Sequence, residues 1–240
     1  MSAGVALVTG AGHRLGRAFA LALAADGHDV AVHVHRSREA GETVVGEIRA
    51  LGRNAVLLTG DLALPETASR MVADVGEVLG PLSVLVNNAA SFDADQLASL
   101  DPTRFDRQIA LNLRAPLLLA RAMAAALPAE GRGVIVNLLD QRVRRPSRHY
   151  LSYTLGKSAL WTATRILAQE LGPRLRVVGI APGAPLPEAA MEARVRRALV
   201  DRSPLGEPGS LADCVAALRF LVAARSVTGE VVVIDGGLSL

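Results

Sequence analysis

The residues best placed to do chemistry lie in the run Tyr153-Thr154-Leu155-Gly156-Lys157. On a helix, positions four apart share a face, so this spacing sets a phenol beside an ammonium. A nearby cation favours phenolate, which lowers the tyrosine pKa and makes it a better acid near neutrality. Both tyrosines of the chain, Tyr150 and Tyr153, fall here, and Lys157 is the only lysine among 26 Lys and Arg. A chain that otherwise uses arginine has kept one compact amine where a planar fork would not substitute. The alternative is chance survival under a composition bias. As a bare pattern, Tyr-x-x-x-Lys decorates many solvated helices, so its meaning rests on its surroundings.

Two further runs have types and spacing suited to a nucleotide. Thr9-Gly10-Ala11-Gly12-His13-Arg14-Leu15-Gly16 lies between an apolar run and a helical pattern. Glycines there let the backbone turn tightly and approach a pyrophosphate at a helix N-terminus; the plain alternative is a tight turn. The second run is His33-Val34-His35-Arg36-Ser37. Sheets that bind NAD usually carry Asp or Glu at this place, hydrogen-bonded to the ribose. His35, Arg36 and Ser37 favour a 2′-phosphate instead, with Arg14 in reach of the same group, and so point to NADPH over NADH. An ordinary basic surface loop is the alternative. Asp61 stands where it can accept from an adenine amine.

The elements that must position these residues alternate along the chain. Strands are expected at Val5–Val8, Asp29–Val34, Ala55–Leu58, Leu82–Val86, Gly133–Leu138, Arg176–Ile180 and Val231–Ile234. Helices are expected at Leu15–Ala25, Arg38–Leu51, Pro65–Leu79, Pro102–Leu127, Leu151–Leu171 and Leu211–Ala224. Continuous apolar strands alternating with helices predict an α/β fold: a single Rossmann-type, doubly wound parallel sheet of about seven strands, helices on both faces. Ligands of such sheets sit beyond the carboxyl ends of the strands, which is where the three runs fall.

With those motifs placed, the sequence resembles the short-chain dehydrogenase/reductase family over nearly its whole length. The resemblance runs through Thr9 to Gly16, Asn87-Asn88-Ala89-Ala90, Asn112, Tyr153 with Lys157, Ala181-Pro182-Gly183 and Asp235-Gly236-Gly237. It implies that Tyr153 donates a proton and that Lys157 binds the nicotinamide ribose while tuning Tyr153. It also implies that Asn112 supports a water-borne proton relay. It places the cofactor on Gly10, Arg14, Leu15, Gly16, His35, Arg36, Ser37, Asp61, Leu62, Asn88, Ala89, Lys157, Pro182 and Gly183. Two departures narrow it. Arg14 stands where the family loop usually has glycine or alanine, and Asp140 stands thirteen residues before Tyr153, where a carbonyl-binding serine is usual. Both features are similar to pteridine reductases and dihydromonapterin reductases, which also carry an aromatic residue like Phe92 to stack a pterin. Ala90 stands where some of those enzymes have serine.

An Asp at that place suits an imine. Reducing a ring C=N needs a proton on nitrogen as hydride reaches carbon, and a carboxyl group working with Tyr153 can take part in delivering it. Asp140 could also hold the amino-pyrimidine part of a pterin; a solvated loop carboxylate is the alternative. The expected activity is NADPH-dependent reduction of a pterin-like C=N, as in dihydropterin or dihydrofolate going to the tetrahydro form. Its rivals are a carbonyl reductase, for example of a 3-oxoacyl thioester, and a non-catalytic NADPH-binding protein.

Composition bounds the rest. The chain has 240 residues, half of them hydrophobic but only 3% aromatic, so one domain spanning 1–240 with an aliphatic core is expected. The formal charge of +3 is a weak argument for nucleic acid, and none is expected as a partner. The lone Cys214 excludes a disulfide framework and a zinc site of paired cysteines; it reads as a core residue. Ala115–Leu127, broken by Arg121, is short for a membrane span, and the N-terminus lacks a signal-peptide pattern, so a cytoplasmic protein is expected. Arg142, Arg144, Arg145, Arg148 and His149 form a basic stretch that reads as solvated or as a subunit contact; facing an acidic substrate tail is the alternative. Residues 184–208, with a short helical centre, read as a substrate lid. Apolar residues on more than one face of the helices at Phe105–Leu127 and Tyr153–Leu171, together with the resemblance, imply a homodimer or homotetramer.

Overall fold

A computed structural model describes residues 4–183 and 193–240. Seven parallel strands form one sheet: β1 (Val5–Val8), β2 (Asp29–Val34), β3 (Ala55–Thr59), β4 (Leu82–Asn87), β5 (Gly133–Leu138), β6 (Leu175–Pro182) and β7 (Val231–Ile234). Their spatial order is β3-β2-β1-β4-β5-β6-β7. The order reverses between β1 and β4, which opens a crevice at their carboxyl ends. This is the doubly wound α/β sheet that the alternating pattern predicts.

Each strand is mostly apolar because both faces are covered, with polar residues such as His33, Asn87 and Asn137 buried near the carboxyl ends. In β1, Ala6 and Val8 join one core with Phe19, Leu23 and Ile48 of α1 (Arg14–Ala25) and α2 (Arg38–Ala50), and with Leu218 and Leu221 of α8 (Leu211–Ala223). Val5 and Leu7 face the other core, with Met71 and Val75 of α3 (Pro65–Val78) and Leu119 and Met123 of α5 (Ala115–Ala126). Cys214 is buried in the first core, which pushes its thiol up to about 12.

Three expectations need correction. The single helix expected over Pro102–Leu127 is two, α4 (Pro102–Ile109) and α5, joined by a π-helical turn at Ala110–Arg114. A wider turn inserts one residue that periodicity does not reveal. Within the run Pro102–Ala126 an 18-residue stretch has a mean hydropathy of 1.3, which passes for a membrane span by length and composition. Its apolar side is the one buried against α3 and the sheet, which accounts for the composition. Third, β6 continues past Ile180 to Pro182 because β7 pairs with it through Pro182 and Ile234. Of the expected lid, 184–192 lies outside the described residues, and its helical centre is α7 (Ala193–Arg202).

Candidate active site

The carboxyl ends of β1, β4 and β5 meet α6 (Leu151–Leu171) around a cleft of about 500 Å³. Its first wall is the turn after β1. Gly10 adopts φ +64°, and a Cβ on Gly16 would come within 2.2 Å of the Gly10 carbonyl oxygen, so the turn closes onto α1 only with glycine at both places. Asn88 Nδ2, from the segment after β4, donates to the carbonyls of Thr9 and Gly10 at 2.8 and 3.1 Å. The N-cap of α1, His13, makes no side-chain cap, and no acid stands in the first turn. These residues line the cleft, so the positive end of the helix dipole there favours an anion. Arg14 is the one non-glycine with a left-handed backbone among the described residues, at φ +49°.

The reactive groups lie at the opposite end. Tyr153, on the first turn of α6, donates its hydroxyl hydrogen to Asp140 Oδ2 at 3.1 Å, and both residues are buried. Asp140 also caps the short turn Gln141–Val143 by accepting from the Arg142 backbone N–H at 2.8 Å. The Arg142 side chain folds back, its Nη1 donating to both Asp140 oxygens at 3.2 and 3.0 Å. Phe92 lies edge-on to Tyr153, with centroids 4.7 Å apart, and stacks on Tyr150 at 4.4 Å. Lys157 is buried and donates to the Leu138 carbonyl at 2.6 Å.

Chain comparisons agree with this geometry. Residues 4–198 match the family model described as short chain dehydrogenase. The chain belongs to the short-chain dehydrogenase family. As a short-chain dehydrogenase it is an oxidoreductase. It is 35% identical over 97% of its length to bovine L-xylulose reductase, of which 95% is covered. It is 34% identical over 98% of its length to an uncharacterized oxidoreductase of Mycobacterium tuberculosis, 92% covered. Among solved structures it is similar to the FolM alternative dihydrofolate reductase 1 of Brucella canis in complex with NADP, with TM-score 0.91 and 37% identity. That match covers 99% of this chain and 94% of the other. The Brucella suis protein of the same name is similar at TM-score 0.90 and 38% identity, with 99% and 95% covered.

In this short-chain dehydrogenase most of the predicted site residues line one cleft. Gly10, Arg14, Leu15, Gly16, His35, Asp61, Leu62, Asn88 and Ala89 line one end, while Phe92, Asp140, Tyr153, Lys157, Pro182 and Gly183 line the other. Three are placed elsewhere. Arg36 and Ser37 are exposed at the start of α2 and do not line the cleft. Asn112 is fully buried in the π-helical turn. Its amide grips the Ser91 backbone from both sides, Nδ2 donating to the Ser91 carbonyl at 2.9 Å and Oδ1 accepting the Ser91 N–H at 3.1 Å. Asp61 is shared with Arg107 at 3.1 Å and His35 at 3.7 Å. Burial would raise its pKa, but the Ala63 N–H and the Arg107 guanidinium outweigh that and hold it below the usual value.

Two sequence readings are corrected here. Tyr153 does not have a lowered pKa. Burial first, and then the Asp140 carboxylate, push it well above the usual value, and Lys157 is turned to the Leu138 carbonyl. The basic stretch is not uniformly solvated either: Arg142 is held in the cleft wall by Asp140, with Phe92 and Tyr150 beside its guanidinium, while Arg148 stays exposed. The sequence singled out Arg142 only as one of a basic stretch, because a loop arginine turned inward has no periodicity to set it apart. Leu111 and Leu139 were also missed, as apolar residues rarely declare a site.

Proposed function

We propose that this oxidoreductase is an NADPH-dependent reductase of a pterin-like ring C=N, taking a dihydropterin or dihydrofolate to its tetrahydro form. The observation that carries the reading is the Tyr153–Asp140 hydrogen bond of 3.1 Å, a proton-bearing pair where carbonyl reductases carry a serine, set against the Phe92 ring. The names of the Brucella proteins, alternative dihydrofolate reductases complexed with NADP, support it.

The residues present fit that cofactor. The cradle between Gly10 and Gly16 has no room for a Cβ, the start of α1 carries no side-chain cap, and Arg14 lines the cleft beside His35 with no carboxylate at the end of β2. Bound there, NADPH supplies a hydride to the substrate carbon. The chain's own part is to hold the ring and bring the proton. Phe92 offers an aromatic face to a flat heterocycle. Tyr153 keeps its proton through the alkaline range and aims it at Asp140. A substrate nitrogen entering between the two takes over that hydrogen bond and receives the proton, completing C=N to CH–NH. Lys157, held by Leu138, sets its ammonium behind Tyr153 at 5.9 Å from the ring centroid. We infer further that the chain works as a homodimer or homotetramer.

The likeness to L-xylulose reductase favours a carbonyl substrate as the second reading. NADPH oxidation measured with 7,8-dihydropterins and dihydrofolate, beside a 3-oxoacyl thioester and simple diketones, separates the two. Pterin-selective turnover that is lost in Asp140→Ser is expected. Turnover on the carbonyl panel alone would remove the pterin assignment and leave the family and fold intact.

A further inference from the structure

His33 is a buried residue that the reaction does not use. It stands near the end of β2 with 2% of its surface exposed and forms part of the cleft floor. Its two ring nitrogens bridge two separate loops. Nδ1 accepts the Gly10 backbone N–H at 3.3 Å, and Nε2 lies 3.1 Å from the Gly60 carbonyl oxygen. The partners leave one assignment. A backbone N–H can only donate and a carbonyl can only accept, so Nδ1 carries the lone pair and Nε2 carries the hydrogen. An imidazolium would set a second N–H against that of Gly10. Burial, reinforced by the neighbouring His35, lowers the pKa to about 4 against the opposing pull of Gly60 and Asp61, which agrees with a neutral ring.

The two loops are the ones that matter for a dinucleotide. Gly10 opens the glycine turn, and its carbonyl side is already held by Asn88 Nδ2. His33 holds the N–H side of the same residue. Gly60 immediately precedes Asp61 and Leu62, which line the cleft across from the turn. The His33 backbone adds to the grip, its carbonyl accepting the Ala11 N–H at 2.8 Å. We propose that His33 is a positioning residue: as the neutral Nε2–H tautomer it ties the glycine turn to the end of β3 and fixes the spacing of the two loops between which the adenosine half of the cofactor binds. The inference rests on the NADPH reading above, and its test is separable from that reading.

Two variants carry the test. In His33→Leu both backbone partners lose the ring. In His33→Asn the amide stands at the Nδ1 position, and its oxygen can still accept from Gly10. Binding of NADPH and of 2′-phospho-ADP-ribose is measured by titration calorimetry, with melting temperature recorded alongside. His33→Leu, which leaves both hydrogen bonds unmade, is expected to weaken both ligands about tenfold or more, with His33→Asn, which keeps the Gly10 bond, in between. A purely structural role would lower the melting temperature of both variants and leave their affinities equal to wild type, and that result overturns the proposal. Nitrogen NMR of histidine-labelled protein provides the second readout: finding His33 as the Nδ1–H tautomer or as imidazolium at neutral pH also overturns it. Wild-type protein that binds neither NADPH nor NADH would remove the cofactor reading and this role together. Binding of NADH alone would remove only the preference for phosphate, and the same graded loss should then be read with NADH.

Discussion

Single residues carry conflicts that stability alone would not keep. Arg14 holds a left-handed backbone at φ +49°, which costs a side chain about 1–2 kcal/mol that glycine would not incur. Glycine gives back about 0.5–1 kcal/mol of this through its freer unfolded chain. Arg14→Gly relieves this strain, and it should bind NADPH more weakly and lose its preference over NADH. An unchanged preference would refute the phosphate role. Lys157 is a second conflict. Burial lowers its pKa from 10.5 to about 8. The folded value is the depressed one, so between about 8 and 10.5 the unfolded chain binds the extra proton and stability rises with pH. Below that window both states are protonated and the cost of burying the charge is felt in full. The melting temperature of Lys157→Met, relative to wild type, should fall steadily as pH climbs from about 7 to about 10. A difference that does not vary with pH would contradict the burial argument. The pairing of Asp140 with Tyr153 was legible in the sequence because a helix and a strand end fix the places of both. The direction of the tyrosine shift was not, because it turns on the depth of burial and on the Asp140 carboxylate, which only the folded cleft sets against the phenol.

At the scale of elements, α6 is anchored from outside itself. Its N-cap, Tyr150, provides no side-chain cap. Asp95, from the segment after β4, does so in its place, its carboxylate accepting from the Ser152 backbone N–H at 3.1 Å and from the Ser152 hydroxyl. The Asp95 backbone pairs with His149 and Leu151. The loop bearing Phe92 and the helix bearing Tyr153 are thereby locked together. Asp95→Ala should cost about 1 kcal/mol in urea unfolding, the usual worth of such a cap, and should lower kcat more than NADPH affinity. Asp95→Asn, which keeps one acceptor, should recover most of both. Equal kcat in the alanine variant would show the lock to be irrelevant to the site. The alternation of strands and helices was readable because both cores demand continuous apolar runs. This cap and the π-helical turn at Ala110–Arg114 were not, since each depends on segments that meet only after folding.

At the scale of the molecule, the outer face of α6 remains to be explained. Leu155 and Ile166 are 49% and 57% exposed, although the same helix buries Tyr153, Lys157 and Leu160 on its inner side. Their spacing of eleven residues is close to three full turns, so both lie on one stripe. If the chain works as the homodimer or homotetramer proposed above, this stripe is a candidate contact surface. A face presented by every copy pairs most simply about a two-fold axis, each α6 against its counterpart. Light scattering at micromolar concentration should then report two or four copies, and Ile166→Glu should reduce that number by placing like charges across the axis. NADPH affinity should hardly move, since Ile166 is not among the residues lining the cleft. A wild-type monomer would sink the pairing outright. A variant with unchanged mass would move the contact to another face, of which Phe220 on α8, 56% exposed, is the next to test.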